Sequence, residues 1–534
     1  MAAPVPQVST AVKRRTFLHA YGLALGAVAL PAPISPPLPR SLRRWLEPDR
    51  DELAALALDA ARAAGAAYAD VRISRHHAQD IATRERRVES MTNRETYGFG
   101  VRVLVDGVWG FAASRLVEEA EVVRVARTAV AQARENGSMP HAGVELAPVD
   151  AYPDATWTTP HEIDPFAVPL DDKIEFLLGL NDVALRGGAN FVTSGINFQK
   201  QERLFASSDG SSIDQTLFRV MVPWSVTAVD RQAGTFAEWS DIQTNAAAGW
   251  EFVEAQDFPE VLRRGTERVR EKLSAPTIEA ASRKDLVLAP NHLWLTIHES
   301  VGHPTELDRA MGLEADYAGT SFCTPDQLGK LQYASEIVSF EAEKQAPHSL
   351  ATVGWDDDGV PADRWLLVDH GLFVDFQTTR EQVHWIRDRT GVDRSHGCSY
   401  GENWSLVQFQ RMPNVNLLPD PAGGSVEDLV AGVDDGILFD TRGSYSIDQQ
   451  RYNFQFSGQG MWAIRGGKAA HMLRDVAYQA NTVDFWKSCD GLGGLGAYAT
   501  YGSYNDGKGQ PGQSNAVSHG CPPARFRQVN VLPV

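Results

Sequence analysis

The sequence predicts an α+β protein of two domains, and three observations carry that expectation. The chain has 534 residues, too many for one ordinary hydrophobic core. Its first half reads helix, strands, helix. Past a boundary at Pro276 to Ser282 the pattern changes to many short strands separated by Gly and Asp turns.

Composition supports a folded chain: 43% of residues are hydrophobic and 22% charged, which excludes a disordered protein. The formal net charge of −18 repels phosphate backbones and anionic headgroups, so nucleic acid is not an expected partner. Cys323, Cys398, Cys489 and Cys521 are scattered, without a CxxC pair. That spacing argues against a disulfide scaffold and for small buried hydrophobes.

Residues 1–40 read as an address. Lys13-Arg14-Arg15-Thr16-Phe17-Leu18 precedes the apolar run Ala20 to Ala29, and small residues and prolines follow from Leu30 to Pro39. A charged segment, a short apolar segment and a small-residue cleavage zone, in that order, make a signal peptide. The paired arginines before Phe-Leu look like a twin-arginine signal. The expected destination is the periplasm or the exterior. No other stretch is long and apolar enough to span a bilayer, so no stable membrane insertion is expected of the mature chain.

Residues 41–280 are expected to form the first domain, with linker segments. A helix rich in Ala and Leu spans Asp51 to Gly65, and another runs from Val117 to Glu135, stopped by Asn136-Gly137. Between them lie the alternating segments Asp70–Ser74, Thr96–Val105 and Val108–Ala112, the last two joined by an Asp106-Gly107 turn. The stretch from Pro140 to Pro169 reads as a linker or surface loop. Helices at Leu170–Arg186 and Phe258–Leu273 flank strands from Phe191 to Thr227.

Residues 281–534 are expected to form the second domain. A compact strand, Asp285 to Ala289, leads to Pro290-Asn291, which starts a helix through His298-Glu299-Ser300-Val301-Gly302-His303. This is HExxxH. Histidines four apart lie about 40° apart on a helix, but five apart they diverge by about 140°. Both reach one metal only if the helix bulges or ends between them, and Gly302 and Pro304 supply means of distorting it. In that geometry His298 and His303 bind Zn²⁺, one ion per chain, and Glu299 is the general base rather than a ligand. These ligand types leave Mn²⁺ and Fe²⁺ open as well. Asp356-Asp357-Asp358-Gly359 is expected to be a hairpin turn rather than a Ca²⁺ loop, and Glu306 and Asp308 either solvated residues at a helix end or acids that orient a metal ligand through hydrogen bonds. His76, His77, His384 and His396 lack metal-ligand spacing.

The segment from Pro290 through His303-Pro304-Thr305-Glu306-Leu307-Asp308 resembles the catalytic segment of TldD-type members of the TldD/PmbA metalloprotease family. Further similarities are Gly98-Phe99-Gly100-Val101-Arg102, Asp106 to Phe111, Asp357-Asp358-Gly359, Arg411-Met412-Pro413-Asn414 and Gly507-Lys508-Gly509-Gln510. Together they run from about residue 50 to the end. The resemblance implies an α/β N-terminal domain and a larger, β-rich C-terminal domain carrying zinc. It also implies a peptide or unfolded polypeptide as substrate, and a homodimer or a heterodimer with a related PmbA-type subunit lacking the metal motif.

The family's third zinc ligand is a Cys whose matching position here is Asp506. A carboxylate can replace it, and Cys521 offers a thiolate further on; His519 is a third choice. The expected activity is zinc-dependent hydrolysis of peptide bonds in small or unfolded polypeptides outside the cytoplasm. The alternatives are a peptide-maturation factor, a non-catalytic partner subunit, or a protein whose metal is structural.

Overall fold

A long, largely antiparallel sheet forms the floor of the N-terminal half. The computed structural model describes residues 49–139 and 142–534, so the expected signal at 1–40 lies outside the described residues. The sheet has nine strands, and its longest are Tyr68–Arg84, Arg87–Val105 and Phe191–Ser207. The strands expected at Asp70–Ser74 and Thr96–Val105 are the inner ends of the first two. Arg87 to Thr96 is exposed along its whole length, so it carries no apolar alternation to read. Its backbone pairs with Asp80 and its neighbours instead.

Helices cover this sheet in two groups. Arg50–Ala63 and Glu119–Asn136 bury Leu53, Ala57, Val125 and Ala129 against Val71, Phe99 and Val101. Leu170–Arg186 and Phe258–Leu273 bury Leu177, Leu180 and Leu262 with Phe198, Trp224 and Trp250 in a second core. Pro140 to Pro169, expected to be loop, contributes the short strand Ala155–Thr158, paired in parallel with Ser212–Met221.

The C-terminal half is built on a closed ring. Ser282–Leu288, Asp435–Ile447, Asn453–Arg465, Val476–Asn481 and Ala524–Pro533 pair in that order, and the last pairs back onto the first. Closure removes the free edges of a small sheet. The helix Pro290–Ile297 follows the first strand directly and buries Leu293 and Ile297 in the core of this half. A separate two-stranded hairpin, Ala499–Lys508 with Gln513–Cys521, carries Asp506 and His519.

Buried charge joins the two halves. Asp356 to Gly359 is a turn as expected, with Gly359 at φ +77. Its acids are not solvated, however: Asp356, Asp357 and Asp358 are all buried. Asp357 receives Arg72 at 3.2 Å and also Arg203, both from the N-terminal sheet. Arg102 binds Asp358 and Asp70, each at 2.7 Å. The arginines that answer these three acids lie far away in sequence, at 72, 102 and 203.

Two glycines of the Gly98-Phe99-Gly100 motif make room for this joint. A Cβ on Gly98 would stand 2.4 Å from the Trp404 ring, and one on Gly100 would stand 2.6 Å from the Trp404 carbonyl oxygen. Backbone cannot swing aside as a side chain can. Gly100→Ala is therefore expected to cost about 1–3 kcal/mol, seen as a lower urea midpoint with an unchanged m-value.

Candidate metal centre

The helix that bears His298 changes its winding where the five-residue spacing requires it. Pro290–Ile297 is α-helical, His298–Gly302 is a π turn, and His303–Thr305 is a 3₁₀ turn. The His303 N–H donates to the His298 carbonyl, five residues back, which is the π-type bond. The two imidazoles are thereby brought together, with ring centroids 4.7 Å apart. Ligand atoms of His298, Glu299 and His303 all lie within 4.8 Å of one another.

Gly302 does not contribute conformational freedom here, since its φ of −56 suits any residue. What matters is its missing side chain: a Cβ would lie 2.5 Å from the Met412 sulfur. The Arg411-Met412 motif thus packs directly on the bulge.

Hydrogen bonds fix which ring nitrogens are free. His519 Nδ1 lies 2.8 Å from the Val415 carbonyl, which can only accept, so that nitrogen carries the proton. Burial, followed by the neighbouring His298, holds the His519 pKa well below the ordinary value, so the ring is neutral and its Nε2 accepts. His298 Nδ1 then donates to His519 Nε2 at 2.8 Å. The lone pair of His298 is left on Nε2, 3.3 Å from Asp506 Oδ1. In the same way His303 Nδ1 donates to Glu306 Oε2 at 2.9 Å, leaving Nε2 3.7 Å from the same Asp506 oxygen. Each imidazole is oriented through its far nitrogen, as metal-ligating histidines usually are.

The electrostatics favour an ionised Asp506. Burial raises its pKa, but His298, His303 and Arg411 outweigh that and hold it below the usual carboxylate range. Arg411 Nη2 reaches its other oxygen at 3.2 Å. His298 is raised: burial opposes its charge, and Asp506 and then Glu299 overcome it. His303 is pushed down to about 4 by burial and by Arg451.

Of the residues singled out in the sequence, His298, Glu299, His303 and Asp506 come together. Cys521 does not. Its thiol contacts the Pro290 carbonyl at 3.6 Å. Pro290 begins the helix, roughly 12 Å along the axis from His298 at 1.5 Å per residue. Burial also pushes the Cys521 pKa up, keeping the neutral thiol. His519 is adjacent, but as the hydrogen-bond acceptor for His298.

Glu306 and Asp308 are buried rather than solvated. Lys508 Nζ reaches Glu306 at 3.1 Å, Asp308 at 2.8 Å and Gln410 at 2.5 Å, while Arg309 Nε reaches Glu306 at 3.1 Å. The lysine of the Gly507-Lys508 motif thus sets the acid that orients His303. One residue escaped the sequence reading altogether. Arg451, at φ +62 in the turn between two barrel strands, pairs with Glu299, and no local pattern marks it.

Models of the PmbA/TldA metallopeptidases match in order along the chain. Domain 1 covers residues 69–133, the central domain 163–273 and the C-terminal domain 282–532. Together they take in well over half of the sequence, and the chain belongs to the PmbA/TldA metallopeptidase family. It is 25% identical over 472 residues to a metalloprotease of Methanothermobacter thermautotrophicus, covering 87% of this chain and 95% of that one. A Saccharolobus solfataricus protein named zinc metalloprotease TldD homolog is 23% identical over 431 residues, covering 78% and 87%. The fold is similar to the crystal structure of TldE from Thermococcus kodakarensis, with TM-score 0.68 at 14% identity, over 90% of this chain and 100% of that one.

Proposed function

We propose that this chain is a zinc-dependent peptidase that hydrolyses peptide bonds in small or unfolded polypeptides outside the cytoplasm. The observation that carries the reading is the convergence of two oriented imidazole lone pairs on Asp506, with Glu299 beside them. This donor set suits zinc: two neutral nitrogens and one carboxylate make a common catalytic trio. His298, His303 and Asp506 would hold the ion. When bound, it supplies Lewis acidity, which polarises a carbonyl and acidifies water.

The chain's own residues do the rest. Arg451 pairs with Glu299 through Oε2. The Glu299 carboxylate takes a proton from the attacking water and delivers it to the departing amine nitrogen. Its position is fixed from behind by Arg451 and by Tyr445, whose hydroxyl also bonds it. Family membership supports the peptidase class. The name of the Saccharolobus relative supports zinc, and the Arg14-Arg15 segment supports export. A second copy, or a related chain lacking the metal motif, is the partner we assign.

Metal analysis of the purified mature protein tests the assignment. About one zinc per chain is expected, lost in Asp506→Ala and retained in Cys521→Ala. Loss in the cysteine variant alone would overturn the ligand set. Metal-free wild-type protein, prepared without chelators, would favour the non-catalytic partner instead. His519→Ala is expected to weaken zinc binding about 10- to 100-fold, measured by competition with a chromogenic chelator, because His298 loses the acceptor that orients it.

A further inference from the structure

A second polar cavity lies between the two halves, apart from the metal centre. It encloses about 300 Å³, the lower end of the range for small-molecule sites. Its floor is the N-terminal sheet at His76, Lys200, Gln201 and Arg219, and its roof comes from the C-terminal half at Tyr400 and Trp404. Tyr504 and Asn505 form one wall and directly precede Asp506. Adjacent Cα atoms are about 3.8 Å apart, so the cavity and the metal centre share one short piece of strand.

Arg219 is the unusual group. It is only 3% exposed, and its Nε donates to the Leu350 carbonyl at 3.1 Å. The Tyr400 ring lies beside it, with its centroid 6.0 Å from the guanidinium carbon. Among the described residues, no carboxylate pairs with it. The other buried arginines nearby are matched: Arg72 and Arg203 share Asp357, and Arg102 holds Asp70 and Asp358. A buried guanidinium without a counter-charge is costly, unless an anion completes the site. His76 brings no rival positive charge, since burial and then Arg203 push it down to about 3. Of the other charged groups in the lining, Lys200 at the edge is paired with Asp164 at 3.1 Å, and Glu402 accepts from the Ser514 N–H at 2.7 Å.

A second observation narrows the ligand. Gln201, 5% exposed on the same floor, has a buried side-chain oxygen with no hydrogen-bond partner. The cavity therefore offers a cation for an anion and, beside it, an acceptor for an N–H. The last residue of a peptide presents both groups on one backbone: an amide N–H and an α-carboxylate. A simple carboxylate without a donor, such as acetate, satisfies only the first.

We propose that this cavity holds the C-terminal end of a short peptide, Arg219 binding its α-carboxylate and Gln201 accepting its final amide N–H. The proposal rests on the peptidase reading for its substrate class and makes it specific: peptides with a free C-terminus are preferred. The Tyr400 and Trp404 rings supply apolar surface for the terminal side chain.

Calorimetric binding of Ala-Ala-Ala and of its C-terminal amide to the zinc-loaded Glu299→Gln protein tests this. The free acid is expected to bind about tenfold tighter or more, as a charge-assisted hydrogen bond allows. Arg219→Gln should erase the difference by weakening the acid alone. Should that variant fold poorly, Gln201→Glu is the second probe, because its carboxylate occupies Arg219 and must also erase the preference. Equal affinity for acid and amide in the parent protein would overturn the subsite. So would a preference that survives in folded Gln201→Glu, or Arg219-dependent binding of inorganic phosphate without binding of the tripeptide. Peptide hydrolysis by the wild type with equal acid and amide binding defeats only this subsite. An acid preference without any hydrolysis defeats only the peptidase reading.

Discussion

Glu299→Gln is expected to lower kcat for peptide hydrolysis by about 10²–10⁴-fold, the usual contribution of a general base, and to leave the content of bound metal unchanged. The side chain is 3% exposed and is not needed as a ligand once Asp506 stands against both histidines. Glutamine keeps the volume and still offers an oxygen to Arg451 and Tyr445, so the packing around the bulged helix is retained. What it lacks is the basic oxygen that takes the proton. Turnover of a fluorogenic peptide, alongside elemental analysis of the same preparation, separates the two effects. Undiminished turnover would remove Glu299 from the mechanism; loss of zinc with turnover would make it a ligand.

Lys508→Met is expected to destabilise the protein by about 3–5 kcal/mol, the penalty for removing one partner of a buried ion network. Lys508 is 1% exposed and is shared by Glu306 and Asp308. Without it two neighbouring carboxylates remain buried, with Arg309 as the cation on Glu306. The methionine replaces the alkyl stem but none of the charge. Equilibrium urea unfolding reads the difference, and a loss below about 1 kcal/mol, typical of an exposed pair, would show that the network is not energetically coupled. Activity should fall beyond the share of unfolded protein, because Glu306 is the acceptor that orients His303.

The sequence reading was strongest where information is local. A five-residue spacing between His298 and His303 required a break in α-helical winding, and the π turn is that break. Asp506 was legible only by comparison with a family pattern, since an Asp before Gly is an ordinary turn residue. Glu306 and Asp308 were left between a solvated helix end and a ligand-orienting role because Lys508, which settles their burial, lies 202 and 200 residues away. Arg451 was hidden for the same reason, and so was the role of His519, which the sequence offered only as a third ligand choice; they lie 152 and 221 residues from the groups they hold. The outer half of the strand Arg87–Val105 had no pattern to read, since neither of its faces is buried. Periodicity reports burial; it does not report hydrogen bonding to a neighbouring strand.

The distance in sequence between the parts of the metal centre also has a consequence for biosynthesis. His298 and Glu299 leave the ribosome more than two hundred residues before His519, and Asp506 follows them almost as late. Contacts of such long range form late and slowly, because the intervening chain must first be ordered. The catalytic helix is thus made early, while the hairpin that would complete the ligand set is made near the end of translation. A partly synthesised chain therefore lacks both Asp506 and the His519 acceptor that orients His298.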